Sequence, residues 1–352
     1  MLYQTQNSHG GDIYGGDVTL DFSANTNPLG TPQGVLDAVR DALPELHRYP
    51  DPYCRRLVEA IAAFEGVPRE SVLCGNGAAE LIYAYCQAVR PKRAVELAPT
   101  FSEYALSLAR VGCRVERYVL RQENGFGLDE GFLEFLAQTV PEAVFLCNPN
   151  NPTGRCIPMP VLEQVLAFCS ERGIRLFVDE CFLDLSEGAE SLKGFLAGHP
   201  GLFLLKAFTK SYGMAGLRLG YCLCADGELL TEMSRTVQPW NVSLPAQAAG
   251  AAALKEREFL ARTKALVARE RPWLKEQLEA MGFWVCPSDA NNLLFRGDVG
   301  LDGRLRQRKI AIRDCANYVG LGPGWYRIAV RRHEENEELI RATREVLPWQ
   351  NP

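Results

Sequence analysis

Between about residue 70 and residue 225 the chain alternates short β-rich runs with stretches of helical periodicity. The strand-like runs are Ala94–Leu97, Arg114–Leu120, Ala143–Cys147, Arg175–Asp179, Leu202–Ala207 and Leu219–Cys224. Helical patterning falls near 78–89, 102–111, 129–138 and 158–172. Strands that alternate with helices predict parallel pairing through crossover connections. Several runs are apolar at every position, as expected of strands covered on both faces. An Ala-, Leu-, Glu- and Arg-rich pattern over 243–280 predicts one long helix. After it, Asn292–Phe295, Ile310–Arg313 and Tyr326–Val330 read as strands, and a helix starting at Glu334 closes the chain. The first 40 or so residues, with one helix near 33–42, are expected to pack on this second unit. The fold class is therefore α/β, a mostly parallel sheet sandwiched by helices with a smaller α+β domain. The expected divisions are an N-terminal segment 1–45, a large domain 46–245 and a small domain 246–352.

Composition narrows the function classes. With 352 residues, 47% of them hydrophobic, the chain can bury one large core and a smaller one. A net charge of −5 argues against a nucleic-acid partner, whose usual footprint is basic. No apolar stretch approaches bilayer length, and the first residues lack the charged and apolar regions of a signal peptide. A cytoplasmic protein with no membrane partner is expected. The twelve cysteines are scattered singly through apolar segments, as small core residues would be. The one close pair, Cys222 and Cys224, falls on one face of a strand, and with only four histidines no metal site is expected.

Four segments carry chemistry. Lys210 follows the apolar run Leu202–Phe208, and Arg218 comes eight positions later. Burial lowers a lysine pKa toward the range of a nucleophilic amine, which a Schiff base requires, and a nearby arginine suits a phosphate. Asp179 ends another apolar run, where a carboxylate needs a cationic or hydrogen-bonding partner. A protonated pyridine nitrogen is one such partner; a structural arginine is another. Cys147-Asn-Pro-Asn-Asn-Pro-Thr-Gly154 links a strand to a helix at the sheet end where ligands bind. Cys74-Gly-Asn-Gly-Ala-Ala-Glu80 opens a helix, so the amides of Gly77, Ala78 and Ala79 would cradle an anion. Either Phe101 or Tyr104 could stack on a planar ring, though an aromatic beside a helix start is more often simply core. A phosphate loop, a ring-nitrogen acid, an aldehyde-binding lysine and an arginine together fit pyridoxal 5′-phosphate.

With these motifs the chain resembles the fold type I pyridoxal-phosphate enzymes of the aspartate aminotransferase superfamily. Asn-Asn-Pro-Thr-Gly at 150–154, Asp-Glu-Cys-Phe at 179–182, Thr209-Lys210 with Arg218, and Arg48-Tyr-Pro-Asp51 keep that family's order. The resemblance implies a seven-stranded type of sheet, Lys210 as the Schiff-base lysine and Asp179 as the partner of the pyridine nitrogen. It implies Asn151 on the ring's phenolic oxygen and Phe101 stacked on the ring. Thr209, Arg218 and the amides of Gly77 and Ala78 would hold the phosphate. Tyr49 would reach the neighbouring subunit's cofactor, which implies a homodimer.

Two groups within the superfamily compete. Histidinol-phosphate aminotransferases share every motif above. L-threonine-O-3-phosphate decarboxylases of cobalamin biosynthesis are similar in further stretches: His9-Gly-Gly-Asp12, Asp21–Gly30, Arg313–Tyr318 and Tyr326–Arg331. Phe182 stands where the aminotransferases usually carry Tyr, and Phe101 also replaces a common Tyr. The decarboxylase is the preferred reading. Arg327, Arg313, Asn317, His9 and Asn25 are the expected substrate-anion residues. Ala207 departs from the family's usual Ser or Thr, which would remove one phosphate hydrogen bond, a loss of about 1–3 kcal/mol if uncompensated. A non-catalytic cofactor-binding module, such as the sensor half of a transcription regulator, is disfavoured because Lys210 and Asp179 are both present and no basic helix-turn-helix extension precedes them.

Overall fold

The computed structural model describes residues 9–347; residues 1–8 and 348–352, at the ends of the ranges above, lie outside it. Its main sheet has seven strands in the spatial order Val72–Gly75, Gly220–Cys224, Leu202–Ala207, Arg175–Asp179, Ala143–Cys147, Arg93–Ala98 and Arg114–Val119. Gly220–Cys224 runs antiparallel to both neighbours, and the other pairings are parallel. Val72–Gly75 is a strand that its short, glycine-ended sequence did not announce.

The all-apolar runs are explained by what covers each face. Side chains alternate across a strand, so Val144, Leu146, Leu176, Val178, Leu202 and Leu204 enter one hydrophobic cluster. Ala143, Phe145, Cys147, Phe177, Phe203 and Leu205 enter another on the opposite face. There Phe177 stacks between Phe145 and Phe203, with ring centroids 4.8 and 4.9 Å away. Helix Ala78–Val89 covers this face through Leu81, Ile82 and Tyr85. The twelve cysteines are unpaired, and all but Cys156 are buried.

A second sheet of four short strands contains Arg313–Asp314, Trp325–Ala329, Asn292–Arg296 and Trp284–Val285, in that order. It shares a third hydrophobic cluster with Leu274, Leu278, Leu339, Ile340 and the N-terminal residue Phe22. Leu20–Asp21 pairs with Ile310–Ala311 beside it. Helix Gln33–Ala42, however, packs on Leu244–Ala253, with Val35 in the large cluster, rather than on this second sheet. The single helix expected over 243–280 is in fact two, Leu244–Ala253 and Arg257–Ala280. Ser243 caps the first and Pro245 lies in its first turn, a signal that fixes a helix start. Among the described residues no helix is long and apolar enough to cross a membrane.

Candidate active site

Parallel strands deliver their carboxyl ends to one edge of a sheet, and that edge is where this chain keeps its chemistry. Cys147 and Asp179 are register partners at the ends of adjacent strands. Leu202–Ala207 ends beside them and turns directly into the single helical turn Phe208–Ser211, which carries Lys210. A cavity of about 450 Å³ opens there. Its walls include Asp179, Lys210, Asn151, Phe101, Thr209, Arg218, Arg327, Arg313, His9 and Asn25.

Asp179 is 5% exposed and held from two sides. Tyr104 donates its hydroxyl to Oδ2 at 2.6 Å, and the Cys181 backbone N–H donates to Oδ1 at 2.9 Å. Burial pushes the carboxyl above its ordinary range, while these two donors pull it back down. Tyr104 is therefore not a ring-stacking residue: it is fully buried, and Phe101 stands above it in the cavity wall.

Lys210 has its Nζ 5.6 Å from the centre of the Phe182 ring. Burial, then the charge of Arg327 and of Arg218, pushes its amine down to about 8 from an ordinary 10.5. Lys206, four residues earlier, points to the other face and lies 3.3 Å from Glu180 and 3.5 Å from Glu65. Despite its burial, those carboxylates hold it charged.

The asparagine-rich loop divides its labour. Asn148 accepts from the Ile157 N–H, and Asn150 bonds Thr100, Pro99 and Thr153, so both serve the loop itself. Asn151 alone reaches the cavity. Its side-chain oxygen accepts from Arg327 Nη1, and from the Tyr318 hydroxyl at 3.4 Å. Because a guanidinium only donates, this contact fixes the amide orientation and leaves the NH₂ as the group turned to a ligand.

At the other end Gly77 caps helix Ala78–Val89 at φ +79°, and a Cβ there would lie 2.5 Å from Arg218 Nη2. Gly220 is equally tight, with its Cβ position 2.5 Å from the Ala78 nitrogen. Glycine is required at both so that the amides of Ala78 and Ala79, Thr209 and Arg218 can converge. Ala207 lines the same end and offers no hydroxyl. Glu80 turns back to accept from the Asn76 N–H at 2.7 Å.

Arg327, 6% exposed, also donates to the Ser23 carbonyl at 2.6 Å. Arg313 donates to the Asp314 carbonyl and, at 2.7 Å, to Asn317, which places Asn317 behind Arg313 rather than in the cavity wall. His9 Nε2 is 2.8 Å from Glu103 Oε1. Glu103 also accepts from Tyr83 at 2.7 Å. Asn25 is buried in the wall with neither its oxygen nor its nitrogen hydrogen-bonded within the described residues. A buried amide of that kind costs free energy unless a ligand engages it. Tyr49 is outside the cavity of its own chain, 78% exposed and stacked on Trp240 at 4.6 Å. Sequence reasoning missed Glu103, Ile82 and Ser23 as wall residues and did not choose Tyr318, which lay within a quoted motif.

The model of the aminotransferase class I and II family matches residues 17–342. The chain belongs to that family. Threonine-phosphate decarboxylase of Salmonella typhimurium is 36% identical over 97% of this chain and 96% of its own length. Histidinol-phosphate aminotransferase of Nitratidesulfovibrio vulgaris, strain Hildenborough, is 34% identical, covering 96% of this chain and 91% of that one. Histidinol-phosphate aminotransferase from Sinorhizobium meliloti, solved in complex with pyridoxal-5′-phosphate, has a TM-score of 0.83 at 22% identity, covering 95% and 93%. The cofactor of this class I and II family member is pyridoxal 5′-phosphate, and the cavity suits it. The glycine-walled cradle and Arg218 fit a phosphate, a buried carboxylate fits a ring nitrogen, and a lysine poised near neutrality fits an aldehyde.

Proposed function

We propose that this enzyme decarboxylates L-threonine O-3-phosphate to (R)-1-amino-2-propanol phosphate, the step that serves cobalamin biosynthesis. The observation that carries this reading is Phe182, whose ring lies 5.6 Å from Lys210 Nζ. The aminotransferases it resembles usually place a tyrosine hydroxyl there. The 36% identity to a threonine-phosphate decarboxylase supports the same choice.

In this reading the bound cofactor supplies the electron sink for the bond broken at the substrate's α-carbon. Asp179, oriented by Tyr104 and Cys181, keeps a negative charge against the ring nitrogen. Asn151 offers its NH₂ to the ring oxygen, and Phe101 covers the ring. Thr209, Arg218 and the amides of Ala78 and Ala79 would hold the phosphate; the Gly77 N–H, expected to join them, instead donates to the Gly75 carbonyl at 2.8 Å. Arg327, Arg313, His9 and Asn25 bind the substrate's own anions, with Asn317 bracing Arg313. That clamp would select the reaction by fixing the substrate so that its carboxylate-bearing bond is the one activated. Carbon dioxide leaves, and Lys210 returns a proton to the same carbon. The active form is a homodimer in which Tyr49 reaches the neighbouring cavity.

A second reading, histidinol-phosphate aminotransferase with a 2-oxo acid as amino acceptor, draws on the 34% identity to such enzymes. The two are separated by kcat/KM for threonine phosphate alone against histidinol phosphate with 2-oxoglutarate. A higher value for the second pair overturns the decarboxylase. Lys210→Ala tests the site itself: the visible band of the lysine-linked cofactor should disappear, and its persistence would remove Lys210 from its role.

A further inference from the structure

Two walls of the cavity come from elements far apart, Arg327 on the small sheet and His9 near the N-terminus, and a short clip joins them. The Gly11 N–H donates to Ser23 Oγ at 2.8 Å. Ser23 Oγ in turn donates to Asp21 Oδ1 at 2.6 Å, and the Ser23 N–H donates to the same oxygen at 2.8 Å. The Ser23 carbonyl oxygen accepts from Arg327 Nη2 at 2.6 Å. Gly10 packs against that carbonyl so closely that a Cβ would lie 2.2 Å from it.

The clip is anchored from behind. Phe22 N–H donates to the Ala311 carbonyl, and Ala329 N–H donates to the Phe22 carbonyl, each at 2.8 Å. In front, His9 reaches across to Glu103 at 2.8 Å and to the Phe101 ring at 5.6 Å, both attached to the main sheet. His9, Gly10, Ser23, Ala24, Asn25 and Arg327 thereby form one continuous wall. The Ser23 hydroxyl is spent on Gly11 and Asp21, so its work is to place its neighbours.

We infer that Ser23 is a positioning residue. Through Gly11 and its own carbonyl it sets the separation of His9 and Arg327, and so the affinity for a phosphate-bearing amino substrate. Resting on the proposed reading for the substrate class alone, this holds for either phosphorylated substrate. Ser23→Ala removes the link to Gly11. Gly10→Ala leaves every hydrogen-bonding group in place but forces the Ser23 carbonyl away.

The test uses the cofactor-loaded enzyme and measures KM, kcat, the cofactor absorption band and Tm. Either variant should raise KM for threonine phosphate roughly tenfold, the scale of one mis-set charged hydrogen bond, and lower kcat with it, because the same clamp orients the bond that breaks, while the lysine-linked cofactor band is retained. In a His9→Ala background the effect of Ser23→Ala should shrink, since coupled residues are non-additive. Unchanged KM in Gly10→Ala, or full additivity with His9→Ala, overturns the inference, and Gly10→Ala decides it if Ser23→Ala fails to fold. A wild-type enzyme that accepts only histidinol phosphate refutes the decarboxylase instead, and KM for that substrate should then show the same rise.

Discussion

Lys206 Nζ lies 3.3 Å from a carboxylate oxygen of Glu180, on the sheet face opposite the one that Asp179, the residue before Glu180, turns toward the cavity. Glu65 joins the pair at 3.5 Å from the same ammonium. The two neighbouring acids therefore have different tasks, one fastening adjacent strands and the other facing the ligand. Lys206→Met would take the ammonium from the buried Glu180 carboxylate, while Glu65 keeps Lys193 at 2.8 Å, and removing one partner of a buried ion pair costs about 3–5 kcal/mol. Urea unfolding should report a loss of that order at neutral pH.

Lys210 should reveal its lowered pKa when the cofactor is loaded. An amine attacks only when neutral, and this one loses its proton near about 8 rather than 10.5. In the apo-protein the rate of uptake of pyridoxal phosphate should climb as pH rises through about 8 and then level off. The same shift makes the folded state bind fewer protons than the unfolded chain between those two values, so it raises stability with pH across that window. Stopped-flow absorbance against pH checks the first expectation.

Tyr104→Phe keeps the ring among Phe145 and Phe177 and deletes only the 2.6 Å donor to Asp179. Hydrogen bonds to charged groups contribute about 1.5–3 kcal/mol. A weaker negative charge on Asp179 should lower kcat roughly 10- to 100-fold with little change in KM. Steady-state kinetics on a variant with unchanged circular dichroism would test this.

Gly77→Ala combines a left-handed φ of +79° with a Cβ 2.5 Å from Arg218 Nη2. With ψ at 160° this backbone is open essentially to glycine alone and costs another residue about 1–3 kcal/mol, and displacing Arg218 adds to it. Affinity for pyridoxal phosphate should fall roughly tenfold or more, measured by fluorescence titration of the apo-variant.

What the sequence disclosed follows from the range of the forces involved. Lys210, Asp179 and Asn151 each lie in a short segment whose strand-to-loop register places it, so local pattern sufficed. The parallel pairing of the central strands followed from their alternation with helices, but their order did not, nor did the antiparallel run of Gly220–Cys224. The work of the Tyr104 hydroxyl was missed because its partner, Asp179, is 75 residues away, and a buried aromatic reads the same whether or not its hydroxyl has a task. The clip of Gly10, Gly11 and Ser23 and the wall residue Glu103 stayed hidden for the same reason. The break at 254–256 escaped because Leu254, Lys255 and Glu256 are all ordinary helix formers, even though the first half carries no charge and the second is rich in Arg, Glu and Lys. The signals Ser243 and Pro245 mark the start rather than the break.

The central claim is that carbon–carboxylate cleavage, not amino transfer, is the reaction of this cavity. Threonine phosphate labelled at the carboxyl carbon, incubated with the holoenzyme and no 2-oxo acid, tests it directly. The account requires labelled carbon dioxide in step with substrate consumed, together with a phosphorylated amino alcohol. Label retained in solution, with turnover only when a 2-oxo acid is added, would contradict it.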